Sequence, residues 1–370
     1  MISVGRPTWA EVDLSAINGN VKALKSLVKP EVRFCAVVKA DGYGHGAEAV
    51  AAEALRAGAD YLAVAILDEA LALRAAGFTC PVLILGFTPL EQAHLVVKHS
   101  LTQTVYNMNQ AQALSGAAAA TGRQALLHVK VDTGMGRLGL HSDNVSDFTW
   151  EISKMPGLIL EGVYTHFAQA DNRDKAHVEN QFATFSRALR SIEERGLQVP
   201  IKHCANSAAL LDMPGAHLDM VRAGIALYGL WPSREIGRPI ALKPAMGFKS
   251  SVAMVKQVQK GCEISYGSTY VTQTSATIAT LPVGYADGWS RMMSGRAEVF
   301  LNNKRVPVLG RICMDQCMID ATATGACEGD EVLLFGGPEL PVEEVADRLG
   351  TINYEIVCMV GKRVPRIYCR

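Results

Sequence analysis

The stretch VRFCAVVKADGYGHG, residues 32–46, is an apolar run that stops at Lys39 and continues into a segment with glycines at positions 42, 44 and 46. Its first half is typical of a parallel strand that helices cover on both faces. A lysine at the end of such a strand is partly desolvated, which lowers its pKa and suits it to act as a nucleophilic amine. A surface lysine whose stem passes the strand end is the alternative. The three glycines favour the first interpretation, because they let the backbone and Tyr43 approach a ligand closely.

Seven more strand-like runs follow, separated by Ala-, Leu- and Glu-rich segments with helical spacing. They are DYLAVAI (60–66), PVLILG (81–86), LTQTV (101–105), LLHVKVD (126–132), LILEGVYTHF (158–167), IKHCANS (201–207), and LDMVRAG with IALYGL (218–230). Repeated βα units predict an α/β fold, and eight of them predict a closed (β/α)8 TIM-type barrel. An open doubly wound sheet is the alternative, but no GxGxxG motif follows the first strand.

After about residue 240 the pattern changes to short β-branched runs with turns between them, which is typical of β structure. One helical segment, VEEVADRLG at 342–350, interrupts these runs. The sequence therefore predicts two domains: a barrel over residues 1–240 and a β-rich C-terminal domain over residues 241–370.

Composition excludes several classes of protein. Lys plus Arg (36) equals Asp plus Glu (36), so no excess positive charge favours nucleic acid or an anionic membrane. The chain shows no signal peptide and no apolar run of about 18 residues, so we expect a cytoplasmic protein without a membrane span. The nine cysteines are scattered and odd in number, which indicates reduced thiols. Cys313 and Cys317 have the wrong spacing for a zinc motif, so no metal site is expected.

Nine motifs together resemble the alanine racemase family, in the family's order and over essentially the whole chain. They are AVVKADGYGHG, VDTGMGRLG, THFAQAD, HCANSAA, VRAGIALYG, SYGSTY, LPVGYADGW, GRICMDQ and TINYEIV. The resemblance implies a barrel followed by a β domain, the cofactor pyridoxal 5'-phosphate, and a homodimer whose active sites the partner subunit completes.

Two catalytic bases follow from the resemblance. Lys39 is implied to hold the cofactor as an internal Schiff base and to be one base. Tyr266, in SYGSTY, is implied to be the other, supplied by the partner's β domain. Bases on opposite faces suit a racemase, because the proton leaves one face of the carbon and another arrives on the opposite face. A tyrosine with a pKa of about 10 needs a cation or hydrogen bond to favour its charged form.

The resemblance also places basic residues around the cofactor. Arg137, in VDTGMGRLG, is implied to lie near the cofactor's phenolic oxygen and the substrate carboxylate, although by itself this motif indicates only a glycine-rich turn. Arg222 is implied to face the pyridine nitrogen, and a guanidinium only donates, so that nitrogen stays unprotonated. We expect the weakened electron sink to suppress transamination. His166 is implied to orient Arg222, although a lone barrel histidine is more often structural. Lys130 is implied to lie beneath Arg137, where some relatives carry a carbamate.

The phosphate of the cofactor is expected where strands seven and eight of the barrel end. Ser207 lies there at the predicted start of a helix, where it would also serve as an N-cap. Backbone groups of Gly224 and Ile225 are expected to donate to the phosphate. The resemblance adds the phenols of Tyr43 and Tyr354.

Three residues of the β domain are implied to contact or admit the substrate. Met314, in GRICMDQ, matches a position whose backbone meets the substrate carboxylate. Tyr285 and Cys313 match residues that line the entrance, where a narrow opening would favour small side chains. A tyrosine and a cysteine in strands are otherwise most often core residues.

The predicted function is therefore an alanine racemase that interconverts L- and D-alanine and supplies D-alanine for peptidoglycan. A racemase for serine or a broader set of amino acids is an alternative with the same chemistry. A non-catalytic barrel that binds pyridoxal phosphate is a second alternative, and residues 240–370 argue against it. A decarboxylase of the same architecture would lack the combination of VDTGMGRLG and SYGSTY.

Overall fold

The computed structural model describes residues 5–370, which divide into two compact units. The barrel unit comprises Ile17–Gly42 and Ala47–Lys243. The β unit comprises the N-terminal stretch that ends at Ala16, the short segment Tyr43–Gly46, and Pro244–Arg370. Two segments near the N-terminus thus group with the β unit, whereas the sequence assigned all of residues 1–240 to the barrel.

Eight parallel strands form the barrel unit and are numbered along the chain. They are β1 Arg33–Val37, β2 Tyr61–Val64, β3 Val82–Ile84, β4 Thr102–Val105, β5 Ala125–Asp132, β6 Leu158–Tyr164, β7 Ile201–His203 and β8 Met220–Ala223. They pair in the order β8–β1–β2–β3–β4–β5–β6–β7. Backbone hydrogen bonds of 3.0 Å, from Asp219 to Lys202 and from Arg222 to Ala205, connect β8 to β7 and the residues that follow it. The predicted barrel of eight parallel strands is confirmed, and it is nearly closed.

A helix follows each of the strands β1 to β7, and one further helix precedes β1. The eight are α1 Leu14–Lys25, α2 Ala47–Arg56, α3 Leu67–Ala75, α4 Ala93–Lys98, α5 Met108–Thr121, α6 Val145–Ser153, α7 Ala176–Glu194 and α8 Ser207–Asp212. After β8 the chain does not continue as the predicted strand IALYGL. Ile225–Tyr228 is a buried 3-10 turn that ends at Gly229, whose φ of 81° favours glycine.

The barrel strands are buried in the way their apolar runs predict. Every residue of β2, β3 and β4 is buried. Tyr228, from the 3-10 turn, donates its hydroxyl hydrogen to the carbonyl of Val37 at the end of β1, at 3.0 Å. The turn therefore packs onto the end of β1, close to Lys39.

The β unit contains one large mixed sheet and a small hairpin. In spatial order the sheet comprises Met254–Val258, Ala276–Leu281, Cys317–Asp320, Lys304–Leu309, Glu298–Leu301, Glu331–Phe335, Met246–Ser251, Thr8–Asp13 and Arg366–Cys369. The hairpin pairs Glu263–Ile264 with Tyr270–Val271. The N-terminal strand Thr8–Asp13 belongs here because it pairs antiparallel with Met246–Ser251 and parallel with Arg366–Cys369.

Two helices of the β unit are α9 Val342–Leu349 and α10 Asn353–Met359. The first is the helix that VEEVADRLG predicts, and it ends at Gly350 with a φ of 73°. The second was not predicted, because its β-branched sequence disguises a short helix.

Two properties of the whole described chain bear on its class. Among residues 5–370, none of the helices is long and apolar enough to cross a membrane. All nine cysteines lie within these residues and are free thiols, as their scattered positions predict.

Candidate active site

Lys39 lies just past the end of β1, and the backbone after it winds in the left-handed sense. The φ angles of Ala40, Asp41, Gly42 and Tyr43 are 51°, 54°, 60° and 50°. Left-handed helical geometry costs about 1–2 kcal/mol for each residue other than glycine. Such strain persists only where the surroundings impose it, and it is concentrated at functional sites.

Three hydrogen bonds within the barrel unit hold this left-handed turn. The N–H of Gly42 donates to the carbonyl of Val38 at 2.9 Å. The carboxylate of Asp41 accepts the N–H of Ala47 at 2.9 Å, at the start of α2. The carboxylate of Glu69, from α3, accepts the N–H of Ala40 at 2.6 Å. These contacts fix the backbone next to the half-buried Lys39.

The glycines of this segment have a role that the sequence did not reveal. Within the β unit, a Cβ on Gly44 would lie 2.2 Å from the carbonyl oxygen of Val357, and one on Gly46 would lie 1.9 Å from the hydroxyl of Tyr368. Both glycines also have positive φ angles. They are therefore required for close packing of the chain on itself, whether or not a ligand is nearby.

A group of cations surrounds Lys130 on β5. Lys130 is 4% exposed, and burial lowers its pKa to about 8, with further lowering by the charges of Arg137, Arg222 and Lys39. Asp132 is the acid that opposes this effect. The barrel unit therefore brings three predicted site residues close enough to Lys130 for their charges to lower its pKa. Such a group of cations suits an anionic ligand.

Asp132 also shapes the loop that presents Arg137. Its Oδ1 accepts backbone N–H groups of Gly134 and Met135 at 2.9 Å and of Gly136 at 3.1 Å. The motif VDTGMGRLG is thus a tight turn built on one carboxylate, and it presents Arg137 with its side chain exposed. The glycine-rich turn that the motif by itself indicates is confirmed, and Arg137 follows it directly.

Arg222, on β8, is 3% exposed and donates to neutral groups. Its Nη1 lies 2.7 Å from Nδ1 of His203, and its Nη2 lies 2.9 Å from the carbonyl of Thr165 and 3.3 Å from Nδ1 of His166. Burial, and then the charge of Arg222, lower the pKa of His166 well below its usual value. A neutral His166 is therefore able to accept from Arg222, and the structure brings this predicted pair together.

Ser207 and Gly224 meet where β7 and β8 end. The hydroxyl oxygen of Ser207 accepts the N–H of Gly224 at 2.9 Å and that of Ala226 at 3.4 Å. The sequence suggested that Ser207 caps α8, but it does not. That role falls to Asn206, whose side chain accepts the N–H of Ala209 at 3.0 Å. Within residues 5–370 the hydroxyl of Ser207 accepts but has no acceptor for its own hydrogen. Ile225, which lies between Gly224 and Ala226, is fully buried.

Within the β unit, two predicted phenols lie together. The rings of Tyr43 and Tyr354 have centroids 6.2 Å apart. Tyr43 is 7% exposed, and burial raises its pKa, so its hydroxyl stays protonated and is able to donate.

The predicted entrance residues lie on two paired loops of the β unit. The N–H of Tyr285 donates to the carbonyl of Cys313, and the N–H of Ala286 donates to that of Met314, both at 3.0 Å. Tyr285 and Met314 are exposed, at 41% and 53%. They are surface residues of the described chain, so the alternative that Tyr285 is a core tyrosine does not hold.

Tyr266 is exposed, with 70% of its surface accessible. It follows Ser265, whose φ is 68°, and precedes Gly267, whose φ is 72°. The hydroxyl of Ser265 donates to the carbonyl of Arg311 at 2.5 Å, which anchors the turn. The turn therefore fixes the phenol of Tyr266 in an exposed position, where another protein surface can contact it.

Sequence reasoning missed several residues that support these side chains. Tyr164 is fully buried, and its ring centroid lies 5.2 Å from the guanidinium carbon of Arg222 and 5.6 Å from Nζ of Lys130. His203 stacks on the same ring at 4.7 Å. Both lie inside quoted motifs or beside them, but nothing in a single sequence distinguishes them from ordinary core residues. Asp287, in LPVGYADGW, is a third, and its fully buried carboxylate accepts the N–H of Gly284 at 2.9 Å.

Two family models match the chain. The alanine racemase N-terminal domain matches residues 12–232, and the alanine racemase C-terminal domain matches residues 245–368. Among similar proteins, an alanine racemase of Desulfovibrio desulfuricans is 55% identical, with 100% of each chain covered. An alanine racemase of Methanococcus maripaludis is 48% identical, with 99% of each chain covered.

Solved structures of alanine racemases superpose over nearly the whole chain. That of Clostridium difficile 630 has a TM-score of 0.96 at 42% identity, and the match covers 100% of this chain and 97% of that one. That of Bacillus anthracis with bound L-Ala-P has a TM-score of 0.94 at 43% identity, with coverage of 99% and 95%. The agreement of both domain models, full-length relatives and structures shows that the chain belongs to the alanine racemase family of isomerases.

Proposed function

We propose that the chain interconverts L- and D-alanine with pyridoxal 5'-phosphate bound at Lys39, as a cytoplasmic homodimer that supplies D-alanine for peptidoglycan. The observation that carries the proposal is the group of cations at the carboxyl ends of the barrel strands. Lys39, Lys130, Arg137 and Arg222 lie near one another there, with Asp132 as the acid that opposes them. Active sites of such barrels lie at this end.

The residues present fit the cofactor. Its phosphate and phenolic oxygen are anionic, as is the carboxylate of an amino acid, so the group of cations has the appropriate sign. Ser207 retains a hydroxyl hydrogen to donate, because its oxygen accepts from Gly224 and Ala226. The phenols of Tyr43 and Tyr354 and the N–H of Ile225 are assigned to the phosphate by the family resemblance. The resemblance also assigns the N–H of Gly224 to it, but in the structure that group donates to Ser207.

Pyridoxal phosphate, when bound, is an electron sink that makes the α-hydrogen of an amino acid removable. The chain has to move that proton at two places. Lys39 holds or removes a proton at its Nζ on one face. The phenolic oxygen of Tyr266, supplied by the partner subunit, does so on the opposite face.

The other site residues bind and orient. Arg137 holds the substrate carboxylate, and the backbone at Met314 is proposed to complete that contact. Arg222 only donates, and His166 accepts from it, so the group opposite Arg222 has to be an acceptor. A ring nitrogen of the cofactor held there would stay unprotonated, which would favour racemisation over transamination. Tyr285 and Cys313 are proposed to narrow the entrance, which would favour small side chains over larger ones.

Reduction and turnover test the proposal together. Reduction with borohydride should abolish the visible absorbance of the purified protein and leave the cofactor covalently attached to Lys39. The protein should convert L-alanine to the racemic mixture without added keto acid. Lys39→Ala should abolish both results, whereas Lys202→Ala, a control at a lysine bound to Glu193, should preserve them. Attachment of the cofactor to Lys39 without racemisation would overturn the catalytic proposal in favour of a non-catalytic cofactor-binding protein.

A further inference from the structure

Arg222 is a buried cation, and all the groups to which it donates are neutral. Beyond His203, His166 and the carbonyl of Thr165, its Nη2 donates to the carbonyl of Cys204 at 3.2 Å. A guanidinium at 3% exposure needs a fixed acceptor at each of these positions, because an unmade hydrogen bond inside a protein is costly. The contact with His203 is the shortest of these, at 2.7 Å, and it forms only while Nδ1 of that ring carries no hydrogen.

A chain of hydrogen bonds leads away from His203 through the barrel interior. Its Nε2 lies 2.9 Å from Nδ1 of His128, on β5. The Nε2 of His128 lies 3.2 Å from Oε2 of Glu161, on β6. Both imidazoles are fully buried. Two histidines from two strands thus connect Arg222 to a carboxylate on a third strand that it does not touch.

The chemistry of these groups allows only one direction for the chain. Arg222 has no acceptor, so Nδ1 of His203 carries no hydrogen. A neutral His203 is then protonated on Nε2 and donates to Nδ1 of His128. His128 is in turn protonated on Nε2 and donates to Glu161, which accepts when ionised. Each tautomer is fixed by the next residue, and the series ends at Glu161.

The charge states of the groups agree with this direction. Burial lowers the pKa of both histidines, and for His128 the contact with Glu161 opposes the shift without reversing it. Burial alone would raise the pKa of Glu161, but hydrogen bonds from His128 and Tyr61 lower it. The carboxylate therefore stays ionised beside neutral imidazoles.

Glu161 is itself held in place. Its Oε2 also accepts the hydroxyl of Tyr61 at 2.6 Å and that of Thr102 at 3.2 Å. Burial and the charge of Glu161 raise the pKa of Tyr61, so that phenol stays a donor. Three donors therefore converge on one carboxylate oxygen, and they hold it in place as the acceptor for His128.

We propose that Glu161 is a positioning residue that acts through His128 and His203 to hold Arg222 as an oriented donor. Glu161 does this as the acceptor that ends the chain, so another acceptor of the same shape can replace it. The kinetic part of the test below rests on the proposed function, whereas the spectroscopic part does not.

Histidine tautomers in the cofactor-free protein are the first measurement. Long-range 15N–1H spectra should show His128 and His203 neutral and protonated on Nε2, with assignments from His128→Gln and His203→Gln. In Glu161→Met, which removes the acceptor, at least one of the two rings should change tautomer. In Glu161→Gln, whose amide oxygen can occupy the place of Oε2, both rings should keep theirs. An Nδ1-protonated His203 in the unsubstituted protein would overturn the proposal without any variant having to fold.

Steady-state turnover is the second measurement. Glu161→Met should lower kcat about tenfold and change KM less than about threefold, and Glu161→Gln should restore most of the loss. Glu53→Gln is the control, because Glu53 is also a glutamate shielded from solvent with a basic partner, Arg56, but lies on α2 and is the more buried of the two. Equal losses in the Met and Gln variants, or unchanged tautomers with Met, would show a merely structural role and overturn the proposal. If the unsubstituted protein did not racemise alanine, the proposed function would fail while the tautomer result would still stand.

Discussion

The Nε atom of Arg363 lies 2.7 Å from Oδ1 of Asp287, and the Asp287 side chain is fully buried. Arg6 contacts the same carboxylate, and the N–H of Gly284 donates to its other oxygen at 2.9 Å. Burial alone would raise the pKa of Asp287, but these donors lower it. The carboxylate therefore joins the N-terminal stretch, the Tyr285 loop and the segment around Arg363 within the β unit.

Asp287→Asn is expected to lower the free energy of unfolding by about 2 kcal/mol at pH 7, because it removes the buried anion that Arg6 and Arg363 share. The difference should shrink as the pH falls below about 4, since a carboxylate with a lowered pKa loses its contribution when it becomes protonated in the folded state. Urea denaturation over this pH range measures both effects. Asp315→Asn removes a more exposed partner of Arg363 and should cost no more than about 0.5 kcal/mol.

Asp132→Ala is expected to raise KM for alanine about tenfold with a smaller change in kcat. Three backbone N–H groups lose their acceptor, so the turn that presents Arg137 loosens. Steady-state racemisation measures the two constants. Asp143→Ala, at an exposed aspartate further along the chain, should leave both unchanged. A fall in kcat with KM unchanged would contradict a role in presenting Arg137.

Lys130→Met is expected to stabilise the cofactor-free protein below pH 8. The pKa of Lys130 is about 8 when folded against 10.5 ordinarily, so the folded state bears a cost of roughly 1–3 kcal/mol while the amine is charged. That cost disappears as the pH rises from about 8 to 10.5, because the unfolded chain then binds more protons than the folded one. The variant's advantage in thermal unfolding should shrink over this interval. Lys98→Met, at an exposed lysine, should show no such trend.

The same lowered pKa makes Lys130 a candidate for carbamylation, in which the neutral amine forms a C–N bond to carbon dioxide and loses a proton. With 13C-labelled bicarbonate, the protein should show a carbamate carbon signal that grows as the pH rises through 8. The signal should be absent from Lys130→Met and present in Lys98→Met. Its presence in both variants would place the carbamate elsewhere.

Tyr266→Phe is expected to slow conversion of L- to D-alanine by more than about a hundredfold, because one of the two proposed bases is lost. Cofactor absorbance should not change. Tyr270→Phe, in the same motif, is the control and should turn over normally. Normal racemisation by Tyr266→Phe would show that the two-base assignment is wrong.

Much of the fold is readable in the sequence because its signals are local. Apolar runs such as Tyr61–Val64 have the buried pattern that parallel strands require. Glycines end α5 and α9 at the residues where a left-handed backbone is needed, Gly122 and Gly350. The motifs likewise placed Lys39, Arg137 and Arg222 at strand ends, and the barrel unit brings them together.

Contacts between residues far apart in sequence were decided only by the tertiary structure. Nothing in the local sequence shows that Thr8–Asp13 pairs with Met246–Ser251, because the residues of a strand look the same whichever sheet it joins. The second role of Gly44 depends on where Val357 lies. The series from Arg222 to Glu161 also needs its four residues to meet, since a histidine's tautomer is set by its neighbours in space and not by its neighbours in the chain.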